Sequence, residues 1–166
     1  MNEYSIDEID LRLLDALQTD AGRHNHELAA HCGVSPATSL RRIRRLEALG
    51  LIERRVALLQ PERLARAVGH GLTALVEVSL DRQGAAQLDA FEARAVAEPA
   101  VQQCYRVSPG PDFMLVLVVP DMPGYLAVAQ RLFTDDANVR NVKAFFSLKR
   151  AKFTPAHPLP TASPQK

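Results

Sequence analysis

Little in this sequence points to covalent or metal chemistry. Cys32 and Cys104 are too few and too far apart for a disulfide framework or a metal-ligand array, so both are expected to be reduced, partly buried thiols. No Gly-rich phosphate loop, nucleophile–base spacing or paired acidic motif occurs, and no cofactor is expected. No apolar run approaches the roughly 18 residues that a membrane span requires. The opening Met-Asn-Glu-Tyr-Ser-Ile-Asp-Glu is acidic and has no basic segment followed by an apolar core. It does not read as a secretory signal, and a cytoplasmic location is expected. Strong net charge is also missing: the whole chain carries +1.

What is present is an ordinary globular composition, 47% hydrophobic and 23% charged, in 166 residues. That length holds one typical domain or two small ones. The charge is segregated. Residues 1–20 carry −5 and residues 21–55 carry +4, through seven arginines against Glu27, Glu47 and Glu53. Screening confines a local field to about 10 Å at moderate salt, so a basic segment attracts phosphates even in a nearly neutral chain.

Ser5-Ile-Asp-Glu8 has the spacing of a capping box, and Ile6, Ile9, Leu13, Leu14 and Leu17 follow at helical intervals. A second, shorter helix is expected from about Asn25 to His31, stopped by Gly33. Ser35 suits an N-cap and Pro36 the first helical position, so a third helix is expected over Pro36–Ala48, ending near Gly50. Only Cys32-Gly-Val-Ser35 separates the last two, which defines a helix-turn-helix. On the third helix, Leu40, Ile43, Leu46 and Glu47 are expected to face inward. Ala37, Thr38, Arg41, Arg45 and Ala48 project from the other side, flanked by Arg42 and Arg44. Small residues near the N-terminus of a helix let its backbone enter the major groove, and arginines there bond guanine edges or clasp phosphates. An arginine face can also serve solubility alone, but the tight turn and short helix before it favour recognition of double-stranded DNA.

Leu51-Ile-Glu-Arg-Arg-Val-Ala-Leu-Leu is rich in strand formers and is expected to form a wing or linking strand whose Arg54 and Arg55 meet the DNA backbone. The candidate DNA contacts are therefore Ser35, Ala37, Thr38, Arg41, Arg42, Arg44, Arg45, Arg54 and Arg55, in a motif spanning Asn25 to Arg44. Residues 61–70 read as an irregular linker. Beyond it, a strand near 72–80, a helix over 83–97, strands over 101–107 and 113–119, a helix over 123–133 and a strand over 139–152 give the order βαββαβ. This is an α+β, ferredoxin-like domain over residues 71–154, following a DNA-binding domain over 1–60. Phe113–Val119, continuously apolar, is expected to be covered on both faces. Helices on one side of the sheet leave the other open, and an open apolar face predicts a homodimer. The tail, residues 155–166, has four prolines and no packing pattern and is expected to be mobile.

Taken together, Ile9-Asp10 with Leu13-Leu14, Glu27-Leu28-Ala29, Gly33-Val34-Ser35-Pro36, Arg41 to Glu47 and Gly50-Leu-Ile52 resemble the leucine-responsive regulator/AsnC family, or feast/famine regulators. Ala57-Leu-Leu, Cys104-Tyr-Arg-Val107, Val119-Pro-Asp121 and Ser147-Leu-Lys-Arg150 extend the likeness over roughly residues 5 to 160. The resemblance implies a winged helix-turn-helix and a sensing domain that dimerises and assembles further, to a tetramer or octamer. It also implies an amino acid or related metabolite as effector, bound near a Gly-x-x-Asp turn between the second and third strands. The positions matching that site are Tyr105, Val107, Ser108, Gly110 and Asp112. Pro109 stands at the expected glycine, with Gly110 one place later. Asp112 has two readings, a partner for a ligand ammonium or a cap for the turn.

Three other readings compete with this one. His24, His26, His31 and Cys32 offer metal-ligand chemistry, but His24 and His31 lie two helical turns apart, roughly 10 Å, and no metal site is expected. Sirohaem decarboxylases resemble the family in both domains, yet their catalytic histidine and tyrosine pattern is not evident, so no enzymatic activity is expected. A DNA-organising protein without an effector is the third.

Overall fold

In the computed structural model, which describes residues 5–69 and 71–160, Asp7 rather than Ser5 caps the first helix, α1 (Glu8–Thr19). The Asp7 carboxylate accepts from the Asp10 N–H at 2.9 Å and the Asp10 carboxylate from the Asp7 N–H at 3.3 Å, a reciprocal capping box two residues downstream of the expected one. α2 (Asn25–Cys32) begins where the Glu27 carboxylate accepts from the His24 N–H at 2.9 Å. It ends at Gly33, whose φ of 68° is a left-handed conformation that glycine adopts without strain. The Val34 N–H then donates to the Ala29 carbonyl, turning the chain into α3 (Pro36–Ala48). Leu13, Ala16, Leu17, Leu28, Cys32, Ile43 and Leu46 form the core of this helix-turn-helix.

The strand expected after α3 does not form. Among the described residues 51–60 have no ladder partner within the chain, and a strand needs a neighbour for its backbone groups. Val56, Leu58 and Leu59 are left 61%, 60% and 67% exposed. The tail differs from expectation too. Residues 152–160 return to the helix-turn-helix unit, where Gln18 donates to the His157 carbonyl at 2.8 Å and accepts from the His157 N–H at 2.9 Å. This two-point bond to backbone holds the tail without an apolar repeat, which is why composition did not reveal it. Residues 161–166 of the expected mobile tail lie outside the described residues.

The second unit spans Leu59–Ala151. The stretch read as an irregular linker carries a helix, α4 (Pro61–Val68), capped by the Gln60 side chain at the Arg63 N–H and closed by Gly69. A ferredoxin-like arrangement follows: β1 (Leu72–Leu80), α5 (Ala85–Ala97), β2 (Val101–Arg106), β3 (Phe113–Val119), α6 (Met122–Ala129) with a π-helical turn at Gln130–Thr134, and β4 (Val139–Phe146). The strands form one antiparallel sheet in the order β2-β3-β1-β4. Alternate residues of β1 and β3 (Ala74, Val76, Val78, Leu80; Phe113, Leu115, Leu117, Val119) enter a core with Phe91 and Ala95 of α5 and Val128 of α6. The last strand ends at Phe146 rather than Lys152, because Ser147 already bonds to Thr73 at the start of β1 and no partner strand continues. Nor is β3 covered on both faces. Its alternation leaves Val118 40% exposed beside Leu75 at 41%, Phe145 at 53% and Tyr105 at 54% on the open side of the sheet.

Candidate nucleic-acid interface

α3 is set by local chemistry at its start. The Ser35 side chain accepts from the Thr38 N–H at 3.2 Å and donates to the Thr38 hydroxyl at 2.9 Å, and Pro36 occupies the first turn where a missing N–H costs nothing. The helix is rotated by roughly 40° from the expected orientation. Ser39 is fully buried beside Ile43 and Leu46, whereas Leu40 is 41% exposed. The serine takes the buried position on α3 and the leucine turns outward.

That rotation sorts the arginines into two pairs. Arg42 donates to Asp7 at 2.7 Å and to Asp10 at 2.9 Å; Arg45 donates to Asp10 at 3.2 Å and to the Ser5 carbonyl at 2.7 Å. The Asp10 carboxylate is only 1% exposed, and with the Asp7 N–H it accepts three hydrogen bonds, enough to offset its burial. The Asp10 N–H and then the Arg42 guanidinium hold the Asp7 carboxyl below its ordinary value, while Asp7 and Asp10 hold the Arg42 guanidinium above its own. Arg42 and Arg45 thus clasp α3 to α1, a role the sequence alone does not give them. Arg41 and Arg44 are exposed on the adjoining stripe of α3 with Ala37, and among the described residues no carboxylate lies within ion-pair distance of either. Arg55 pairs with Glu47 at 2.6 Å, and Arg54, 76% exposed, lies 3.6 Å from the still more exposed Glu53.

The residues expected around an effector do not converge in the same way. Asp112 accepts from the Leu80 N–H at 2.6 Å and from the Gln83 side chain at 3.3 Å, while its own N–H donates to Val78. The carboxylate therefore caps the end of β1. Val107 donates to the Asp112 carbonyl, Ser108 and Gly110 are exposed in the turn, and Tyr105 stands on the open sheet face with its hydroxyl donating to Gln103. A groove of about 380 Å³ in this unit lies elsewhere, between α6 and β4, lined by Tyr125, Phe133 and Arg140. Burial raises the thiol pKa of both Cys32 and Cys104, which sit in the two cores.

Residues 6–47 match the AsnC-type helix-turn-helix domain, and residues 73–156, half of the chain, match the Lrp/AsnC ligand binding domain. The chain belongs to the Lrp/AsnC family of transcription regulators. It is 36% identical to the Bkd operon transcriptional regulator of Pseudomonas aeruginosa over 93% of this chain and 98% of that protein. Among solved structures it resembles an AsnC family transcriptional regulator from Agrobacterium tumefaciens, with a TM-score of 0.82 and 31% identity over 92% of this chain and 97% of that one. It also resembles a transcriptional regulator of Neisseria meningitidis in complex with L-Met, with a TM-score of 0.83 and 29% identity over 94% and 98%. As an Lrp/AsnC regulator the chain combines a DNA-binding helix-turn-helix with a ligand-binding, ferredoxin-like domain. Among its described residues no helix is long and apolar enough to cross a membrane.

Proposed function

We propose that this Lrp/AsnC regulator inserts α3 into the DNA major groove with Arg41 and Arg44 as its base-reading side chains. The observation that carries the reading is the division of the arginines. Arg42 and Arg45 are spent on Asp7 and Asp10, while Arg41 and Arg44 project beside Ala37 without acidic partners among the described residues. Ser35 and Thr38 fix the helix start from which Ala37 approaches the backbone, and Arg54 meets a phosphate next to the groove.

The protein acts as a homodimer in the cytoplasm, and it does so without enzymatic chemistry. The open sheet face, with Leu75, Tyr105, Val118 and Phe145, and the unpaired residues 51–59 are the surfaces that a second copy covers. Two-fold pairing places two recognition helices on half-sites about one DNA turn apart, or a multiple of it. An amino acid is the effector, in keeping with the L-Met bound by the Neisseria relative. It binds at the turn around Ser108, Gly110 and Asp112, with Tyr105 and Val107 alongside, where a second protomer closes a site that a single chain leaves open. It alters DNA affinity by binding one assembly better than another, typically by about 1–3 kcal/mol.

The test is binding of the purified full chain to its own upstream DNA across a salt series, with and without a pool of amino acids. Saturable, salt-sensitive binding that survives nonspecific competitor, and that shifts with the pool, supports the reading. Absence of specific binding across genomic fragments overturns it.

A further inference from the structure

Leu40 is the side chain of α3 that its packing does not explain. Ser39 fills the core position and Leu40 is left 41% exposed. On a helix, residues three and four apart are neighbours, so Ala37, Leu40, Arg41 and Arg44 form one continuous patch. The patch holds a small residue, an exposed leucine and two arginines with no acidic partner among the described residues.

The chemistry of each member selects what it can meet in a major groove. A guanidinium bonds the two acceptors of guanine. Leucine offers no hydrogen bond, and the apolar group that base edges present there is the C5-methyl of thymine. Against any other base edge, Leu40 would remove water from a polar group without replacing its hydrogen bond. We infer that Leu40 is a specificity-determining residue that packs on a thymine methyl, so that each half-site carries a thymine within one or two base pairs of the guanines read by Arg41 and Arg44. The inference rests on the DNA-binding reading above.

The two can fail separately in one experiment. The full-length protein selects duplexes from a randomised pool, and each thymine of the enriched duplex is then replaced by deoxyuridine, which differs only in lacking the methyl. Fluorescence anisotropy gives the affinities. Wild type should lose about fourfold at one thymine of each half-site, the weight of one buried methyl-sized group. Leu40→Ala should bind the thymine and uracil duplexes equally, and Leu40→Met should keep the discrimination. The inference is overturned if wild type tolerates uracil at every position while Arg41→Ala still loses binding, or if Leu40→Ala keeps the uracil penalty. It is equally overturned if Leu40→Ala changes the sedimentation state and not the discrimination, which would assign the leucine to a protein contact. If no sequence is enriched, the DNA-binding reading falls first and this inference with it.

Discussion

Asp10 is a buried carboxylate on which two arginines converge, and its removal should be costly. Asp10→Ala deletes the bonds from Arg42 at 2.9 Å and Arg45 at 3.2 Å and the return half of the α1 capping box. Breaking a fully buried ion pair from one side costs about 3–5 kcal/mol. The arginine side chains here are 23% and 44% exposed, and they keep Asp7 and the Ser5 carbonyl, so water and the remaining partners compensate part of the loss. About 2–3 kcal/mol remains, which for a unit of this size lowers its melting temperature by roughly 10–20 °C. Asp10→Asn, which keeps shape and one acceptor but not the charge, should fall between. Thermal unfolding followed by helical circular dichroism measures both. A loss below about 0.5 kcal/mol for Asp10→Ala would refute the claim that the clasp holds α3 on α1.

Acid should act on the same clasp. Because the folded-state pKa of Asp7 is depressed, its contribution is present above the ordinary carboxylate value of 3.8 and is lost as pH falls through the lowered folded value. The acid limb of stability should therefore flatten in Asp7→Asn, as read from melting temperatures between pH 6 and pH 2. Gln18→Ala removes both bonds to His157 and should destabilise the helix-turn-helix unit by about 1 kcal/mol; limited proteolysis should show faster cleavage near residues 152–160. Phe145→Asp, on the open sheet face, should shift the protein toward monomer in sedimentation, while circular dichroism stays that of the folded chain.

The order of elements was legible because periodicity and punctuation agree. Gly33, Ser35 and Pro36 fix the turn and the start of α3, and the alternation in β1 and β3 marks the core side of the sheet. The clasp is hidden from a charge count, in which Asp10 belongs to an acidic stretch, although it lies on the same helical stripe as Leu13 and Leu17. A carboxylate on an apolar stripe, followed by a segment of opposite charge, is a sign of an internal ion pair. The helical wheel groups Leu40 with Ile43 and Leu46, but the buried stripe is offset toward Ser39, which leaves Leu40 41% exposed. The missing wing strand has a different origin. Strand formers at residues 51–59 express a local preference, and among the described residues no strand edge meets it.

The division of labour among the four arginines of α3 is tested most directly by measuring DNA affinity and thermal stability together for Arg41→Ala, Arg44→Ala, Arg42→Ala and Arg45→Ala. Arg41→Ala and Arg44→Ala should each weaken specific binding by about 1–3 kcal/mol with unchanged melting temperature. Arg42→Ala and Arg45→Ala should lower the melting temperature. Normal operator affinity in both Arg41→Ala and Arg44→Ala would contradict the account.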